Sequence, residues 1–151
     1  MAQLILDGVV KHFGKIEALR GIDFEVQDGE FFVILGPSAA GKTTTLRAIA
    51  GLEKLDSGRI VFDGVDMAGI PVQQRGIAMV FQSFALYPHL TTEQNLAYPL
   101  REQKMARRDI KLRVQEIAEM LGITHTLTRK PASLSGGEQQ RLAIGRAIIR
   151  Q

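Results

Sequence analysis

Eight residues, Gly36-Pro37-Ser38-Ala39-Ala40-Gly41-Lys42-Thr43, have the spacing G-x-x-x-x-G-K-[ST]. The pattern suits a polyphosphate. Such a ligand carries more charge than one side chain can neutralise, so a loop of small residues wraps it with backbone N–H donors. Gly41 allows close approach of the backbone, Lys42 adds a point charge for the outer phosphates, and the Thr43 hydroxyl can face a bridging Mg²⁺. Thr44 continues into a helix whose positive end faces the same anion. Average composition matches the four fixed positions by chance in about one such chain in a hundred. The chance reading, a glycine loop with a surface lysine, also leaves the flanking pattern unexplained: an apolar run before and a helical stretch after.

A second stretch, Ser135-Gly136-Gly137-Glu138, has the form of a capping box, a serine with a glutamate three residues on. Alone it says only that a helix begins. Its two glycines would leave bare N–H groups at a helix end, which is also how a helix holds an anion.

The surrounding pattern predicts what carries these segments. Leu4, Leu6, Val9 and Val10 predict a first strand, Gly14-Lys15 a turn, and Ile22, Phe24 and Val26 a second strand. Asp28-Gly29 reads as a tight turn. The apolar run Phe31 to Leu35 predicts a strand buried on both faces. A helix over about 43–50 follows, with Leu46, Ile49 and Ala50 on one face and Gly51 as its stop. Asp56-Ser57-Gly58 turns into a strand over 59–63, and Ile77 to Phe81 predicts another buried strand. From Pro88 the pattern is helical: one helix opened by Thr92 and Glu93, one carrying Ile110, Val114, Ile117 and Leu121 and ended by Gly122, and one opened by Ser135 with Leu142, Ala143, Ala147 and Ile148 on one side.

The composition excludes several classes. The chain has 151 residues, 45% of them hydrophobic, and a net charge of only +3, which suits one globular domain. Its cations are scattered, so the charge is weak support for nucleic acid or an anionic membrane. No cysteine is present, which excludes disulfides, zinc ribbons and thiol nucleophiles. His12, His89 and His125 lack metal-ligand spacing. No segment has the form of a secretion signal. The run Phe31–Leu35 is far short of the roughly 20 residues that span a bilayer.

The segment Leu134-Ser135-Gly136-Gly137-Glu138-Gln139-Gln140-Arg141 resembles the signature of ABC-type ATPases, and it lies downstream of the phosphate loop as in that family. Gln82 matches the family's Q-loop glutamine, and Phe13 sits where the family places an adenine-stacking aromatic. Residues 84–91 (Phe-Ala-Leu-Tyr-Pro-His-Leu-Thr) and 143–147 (Ala-Ile-Gly-Arg-Ala) look like the ATPase subunits of carbohydrate importers. The resemblance covers the whole chain. It implies an α/β fold: a P-loop NTPase (RecA-like) core with an N-terminal antiparallel β part and an inserted helical subdomain. The expected division is 1–85 for the β part and loop core, 86–134 for the helical subdomain and 135–151 for the signature helix.

The resemblance further implies an ATP- and Mg²⁺-binding subunit that powers import of a carbohydrate or related solute, in a head-to-tail pair of cassettes attached to transmembrane permease subunits at the cytoplasmic face of the membrane. Nucleic acid is not an expected partner. Nucleotide contacts fall to Phe13, Gly36, Pro37, Ser38, Ala39, Ala40, Gly41, Lys42, Thr43, Thr44, Gln82, Ser135, Gly136, Gly137 and Glu138, and metal contacts to Thr43 and Gln82. The alternatives are an ABC ATPase outside transport and a nucleotide-binding module without catalysis.

Two positions depart from the family pattern. Ala39 stands where Gly is usual, at a cost of about 1 kcal/mol if the position is left-handed. Phe13 replaces the commoner Tyr and keeps the stacking face. The chain ends at Gln151, before the family's Asp-bearing Walker B strand, catalytic Glu, interface loop and switch His. Ile60-Val61-Phe62-Asp63 mimics that strand but precedes the signature and is followed by Gly64. No residue is therefore assigned a catalytic role, and the chain is expected to bind Mg-ATP and hydrolyse it negligibly. The edge of the Phe31–Leu35 strand is expected to be covered by a second copy.

Overall fold

The computed structural model describes residues 3–150, which fall into two compact units, one ending at Ile77 and the other beginning at Ala78.

The first unit is built on a four-stranded antiparallel sheet. Its strands are β1 (Leu4–Phe13), β2 (Ile16–Val26), β3 (Ser57–Phe62) and β4 (Val65–Asp66), in the order β2-β1-β3-β4. Leu6 and Val9 of β1 and Leu19 of β2 are buried in the core, the first two together because the strand's alternation is interrupted between them. Leu6 pairs with Phe24 on one side and Ile60 on the other. The register slips between Leu6 and Val9 in the β1–β2 pairing. Gly8 sits there with φ +57°, and a Cβ on Gly58 would collide with its carbonyl. Glycine is required where the two backbones meet. Asp63 is a turn residue: its φ is +49°, and its carboxylate accepts from Gln3 N–H at 2.8 Å. The mimic of an Asp-bearing strand is thus one arm of an antiparallel hairpin.

Helix α1 (Lys42–Ile49) covers this sheet with Ala48 and Ile49, which join the core with Ile60 and Met67. Its buried residues are Thr45, Ala48 and Ile49, whereas Leu46, expected inward, is 49% exposed. Gly51, at φ +79°, ends the helix: Gly51 N–H donates to Ala48 O and Leu52 N–H to Arg47 O. Arg75 also binds this end, sharing Ala48 O with the Gly51 N–H and taking Ile49 O. Its guanidinium donates to Ala48 O, Ile49 O, Met67 O and Ile70 O at 2.9–3.3 Å. A Cβ at Gly51 would lie 2.5 Å from Arg75 Nε, so this approach also demands glycine.

Two expected strands do not form. Residues 31–35 and 77–81 make no ladder hydrogen bonds among the described residues. Phe31 is 92% exposed and Leu35 85% exposed, against the burial their apolar run predicts. The physical reason is pairing: a doubly buried strand needs neighbours on both edges, and no described segment bonds to 31–35. Phe32 stacks on Phe24, ring centroids 4.8 Å apart.

The second unit is helical: α2 (Thr92–Glu102), α3 (Arg107–Met120) and α4 (Gly136–Ile148), with single 3₁₀ turns at Thr124–Thr126 and Pro131–Ser133. The cap of α2 is Thr91 with Gln94, one residue earlier than the expected Thr92–Glu93 start. Ile110, Val114 and Ile117 pack with Leu96, Leu100, Leu134 and Leu142 in one core. Gly122, at φ +63°, follows α3 as expected. On α4 the buried face is Leu142, Ala143 and Gly145, with Ala147 and Ile148 half-buried. Gly145 is needed for close packing, since a Cβ there would lie 2.8 Å from Leu96 Cδ2. Among the described residues no helix is long and apolar enough to cross a membrane.

Replacing Arg75 by Met keeps much of its stem and removes four bonds to carbonyls. Arg75→Met is expected to cost about 2–3 kcal/mol in urea unfolding; a loss below about 0.5 kcal/mol would contradict the role given to this residue.

Candidate functional site

The loop 36–41 joins the apolar run to α1 and is exposed until Gly41. Gly36, Ala39 and Gly41 have φ of +159°, +63° and +83°. Gly41 is buried, and a Cβ there would lie 2.6 Å from Ala18 O and 2.9 Å from Leu19 Cδ2, which explains the glycine sterically. Gly41 is also the N-cap of α1 and provides no side-chain cap. Within the loop Ala40 N–H donates to Pro37 O at 3.3 Å, and below it Thr45 bonds back to Gly41 O through N–H and Oγ1. The N–H groups of Ser38, Ala39, Gly41, Lys42, Thr43 and Thr44 have no acceptor among the described residues.

Lys42 folds over this loop. Its Nζ donates to Gly36 O at 2.7 Å and Pro37 O at 2.6 Å. The loop therefore offers six unpaired amides and a cation, with two of its own carbonyls already engaged. That surplus of donors fits a polyphosphate. The Thr43 hydroxyl is exposed and makes no hydrogen bond among the described residues. No three acidic or histidine side chains cluster there as a metal site. A Thr43-bound Mg²⁺ fits only with phosphate and water oxygens completing its shell.

The other expected nucleotide contacts are carried by other elements. Phe13 ends β1 at the hairpin, 46% exposed, with Lys11 Nζ 5.3 Å from its ring centroid. Gln82 belongs to the second unit and is exposed in a turn, with no strand leading into it. Ser135 is the N-cap of α4, as its tetrapeptide predicts. Its N–H donates to Glu138 Oε2 at 2.7 Å, its Oγ donates to the same oxygen at 2.8 Å, and Glu138 N–H returns a bond to Oγ at 3.3 Å. Gly136 and Gly137 have no positive φ, and a Cβ on Gly136 would meet nothing within 4 Å. Among the described residues nothing requires glycine there. The open helix end is what a close external approach requires.

His125 and Arg129 were not legible as part of this cluster. His125 Nε2 lies 2.9 Å and Arg129 Nη1 3.6 Å from Glu138 Oε1. Glu138 is drawn down from its ordinary 4.5 to about 2 by the Ser135 N–H, then the Ser135 hydroxyl, the His125 bond and the Arg129 charge. A depressed carboxyl stabilises the folded chain fully above its unfolded value and loses that contribution as pH falls through its folded value. The second unit is thus expected to lose stability between about pH 4.5 and 2, and Glu138→Gln to flatten that loss in acid unfolding followed by circular dichroism. An unchanged acid profile in Glu138→Gln would contradict this account.

The left-handed Ala39 carries its strain in the folded loop before any ligand arrives. The cost therefore falls on folding, not on nucleotide binding. Ala39→Gly is expected to stabilise the chain by up to about 1 kcal/mol and to change nucleotide affinity less than tenfold, measured by calorimetry.

A family model described as ABC transporter matches residues 19–151. The trehalose/maltose import ATP-binding protein of Thermococcus litoralis is 52% identical, over 100% of this chain and 42% of its own length. The lactose transport ATP-binding protein of Rhizobium radiobacter is 47% identical over 100% and 42%. The sn-glycerol-3-phosphate import ATP-binding protein of Cereibacter sphaeroides is 48% identical over 99% and 43%. The chain thus spans less than half the length of these relatives. A solved dimer of the ATP-binding cassette MJ0796, in a post-hydrolysis state with ADP and Pi, superposes with a TM-score of 0.88 at 32% identity, over 97% of this chain and 69% of that one. This likeness supports the α/β fold with a P-loop NTPase core expected from the sequence, although residues 31–35 and 77–81 lack strand pairing. The phosphate-loop spacing, the signature cap and these matches agree: the chain belongs to the ABC transporter family.

Proposed function

We propose that this chain is the ATP-binding part of an ATPase subunit that powers solute import, for a carbohydrate or related solute. The observation that carries the reading is the set of unpaired amides at 38, 39 and 41–44 beneath the Lys42 ammonium. The relatives' names, each an import or transport ATP-binding protein, support transport over other ABC functions.

The residues divide the work as follows. The loop amides and Lys42 hold the phosphates of ATP, Thr43 and Gln82 face Mg²⁺, and Phe13 stacks on the base. Bound MgATP supplies the phosphoryl group whose release drives transport. Ser135, Gly136, Gly137 and the Glu138 cap close on nucleotide held by a second cassette. Two observations support that arrangement: the α4 end is exposed, and its glycines are unexplained within one chain. The working assembly is a head-to-tail pair of ATPase subunits with permease subunits, peripheral at the cytoplasmic face of the membrane. Within it we assign residues 1–85 to the β part and loop core, 86–134 to the helical subdomain and 135–151 to the signature helix. Positioning or deprotonating the attacking water falls to none of this chain's residues.

The test is MgATP binding and association by analytical ultracentrifugation. Wild type is expected to bind nucleotide and form dimers with MgATP, without turnover. Lys42→Ala should lose binding at least tenfold, and Ser135→Ala should keep binding but lose dimers. Tight binding by Lys42→Ala, dimers unaffected by Ser135→Ala, or turnover that Lys42→Ala abolishes would overturn the assignment.

A further inference from the structure

The segment 83–87, which includes most of the turn at 82–85, has an unusual backbone. Phe84 and Ala85 have φ of +62° and +49°, two adjacent left-handed residues of which neither is glycine. Such a pair persists only where its surroundings hold it. Local bonds do part of this: Phe84 N–H donates to Phe81 O and Ala85 N–H to Ser83 O.

The rest comes from α4. Arg146, in the last turn of α4, donates from Nη1 to Ala85 O at 2.6 Å. Its guanidinium also lies over the Tyr87 ring, with Cζ 4.3 Å from the centroid. Arg146 Nε is buried and has no hydrogen-bond partner among the described residues. Leaving that group unpaired is unfavourable, and the contacts that offset it are the Tyr87 ring and the Nη1 bond. Tyr87 also contacts α2. Tyr98 lies 4.6 Å away, and the fully buried Asn95 accepts from Tyr87 N–H at 2.9 Å and donates to its carbonyl at 3.1 Å.

We propose that Arg146 is a positioning residue that locks the strained 83–87 segment to α4, so that displacement of the segment displaces the Ser135 end of the same helix. The clamp needs a planar, forked cation. Lysine could keep the charge but neither the stack nor the bond geometry. The link matters for transport only through the function proposed above, in which the Ser135 end closes on nucleotide. The coupling itself requires no ligand.

The test therefore has two arms. In the first, hydrogen exchange is mapped without nucleotide. Arg146→Lys and Arg146→Met are expected to speed exchange tenfold or more both at 83–87 and at 135–140, while 110–118 in α3 stays within threefold. Tyr87→Phe should behave as wild type and Tyr87→Leu as Arg146→Met. If Arg146→Met does not fold, Arg146→Lys and the Tyr87 pair answer the same question. Acceleration at one end only, or equal acceleration everywhere, would overturn the coupling. In the second arm, Arg146→Lys should weaken MgATP-dependent dimers about tenfold while a fluorescent ATP analogue binds each chain within twofold of wild type. Dimers of unchanged strength would also overturn it. A wild-type chain that binds no nucleotide would sink the functional reading instead, and the exchange arm would still decide the coupling.

Discussion

Three features of this chain turn on how a helix start is satisfied. The amino ends of α2 and α4 are closed by reciprocal boxes, Thr91 with Gln94 and Ser135 with Glu138. The amino end of α1 is not: its cap is Gly41, which has no side chain to offer. A helix start normally finds partners for its free donors. In α1 they stay unpartnered, and the loop before it leaves two more amides free. The glycine that denies the helix a cap is also the one whose Cβ would strike the carbonyl of Ala18. Close approach and the open donor end come from a single residue.

Each unit also has an arginine that ties a helix to backbone carbonyl oxygen elsewhere in that unit. Arg75 closes the carboxyl end of α1 and ties it to Met67 and Ile70. Partial burial lowers its pKa from the ordinary value, yet a guanidinium keeps its charge under such conditions. The first unit is therefore fastened at the end of α1 opposite the open one. That arrangement lets the donor-rich end stay exposed without loosening the helix. Arg146 plays the corresponding part in the second unit with one carbonyl and one ring.

Local signals were the legible ones. The β1–β2 hairpin, the glycine stops at Gly51 and Gly122, and the Ser135–Glu138 cap each depend on residues within a few positions of one another, so their chemistry is written in short stretches. Burial of Phe31–Leu35 was not legible. An apolar run states a preference, but burial depends on which segment lies alongside, and none of the described ones does. Leu46 fails for a related reason: the helical period places it on a face, and only the packing of α1 decides which face is covered. Arg75, Arg146 and the His125–Glu138 pair were invisible because nothing in their spacing marks them. Arg146 meets Ala85 across 61 positions, and Arg75 meets Ala48 across 27. At the candidate site the amide-rich loop was readable from its motif. The left-handed state of Ala39 was legible only as a condition, and its cost turned out to belong to the folded loop.

The aromatic content gives the Tyr87 cluster another significance. The chain has two tyrosines and no tryptophan. Both tyrosines are in that cluster, 4.6 Å apart, with a guanidinium on one of them. Ultraviolet emission excited in tyrosine therefore arises from one spot in the molecule. It gauges the contact between a turn and a helix directly, where most proteins return an average over many scattered rings.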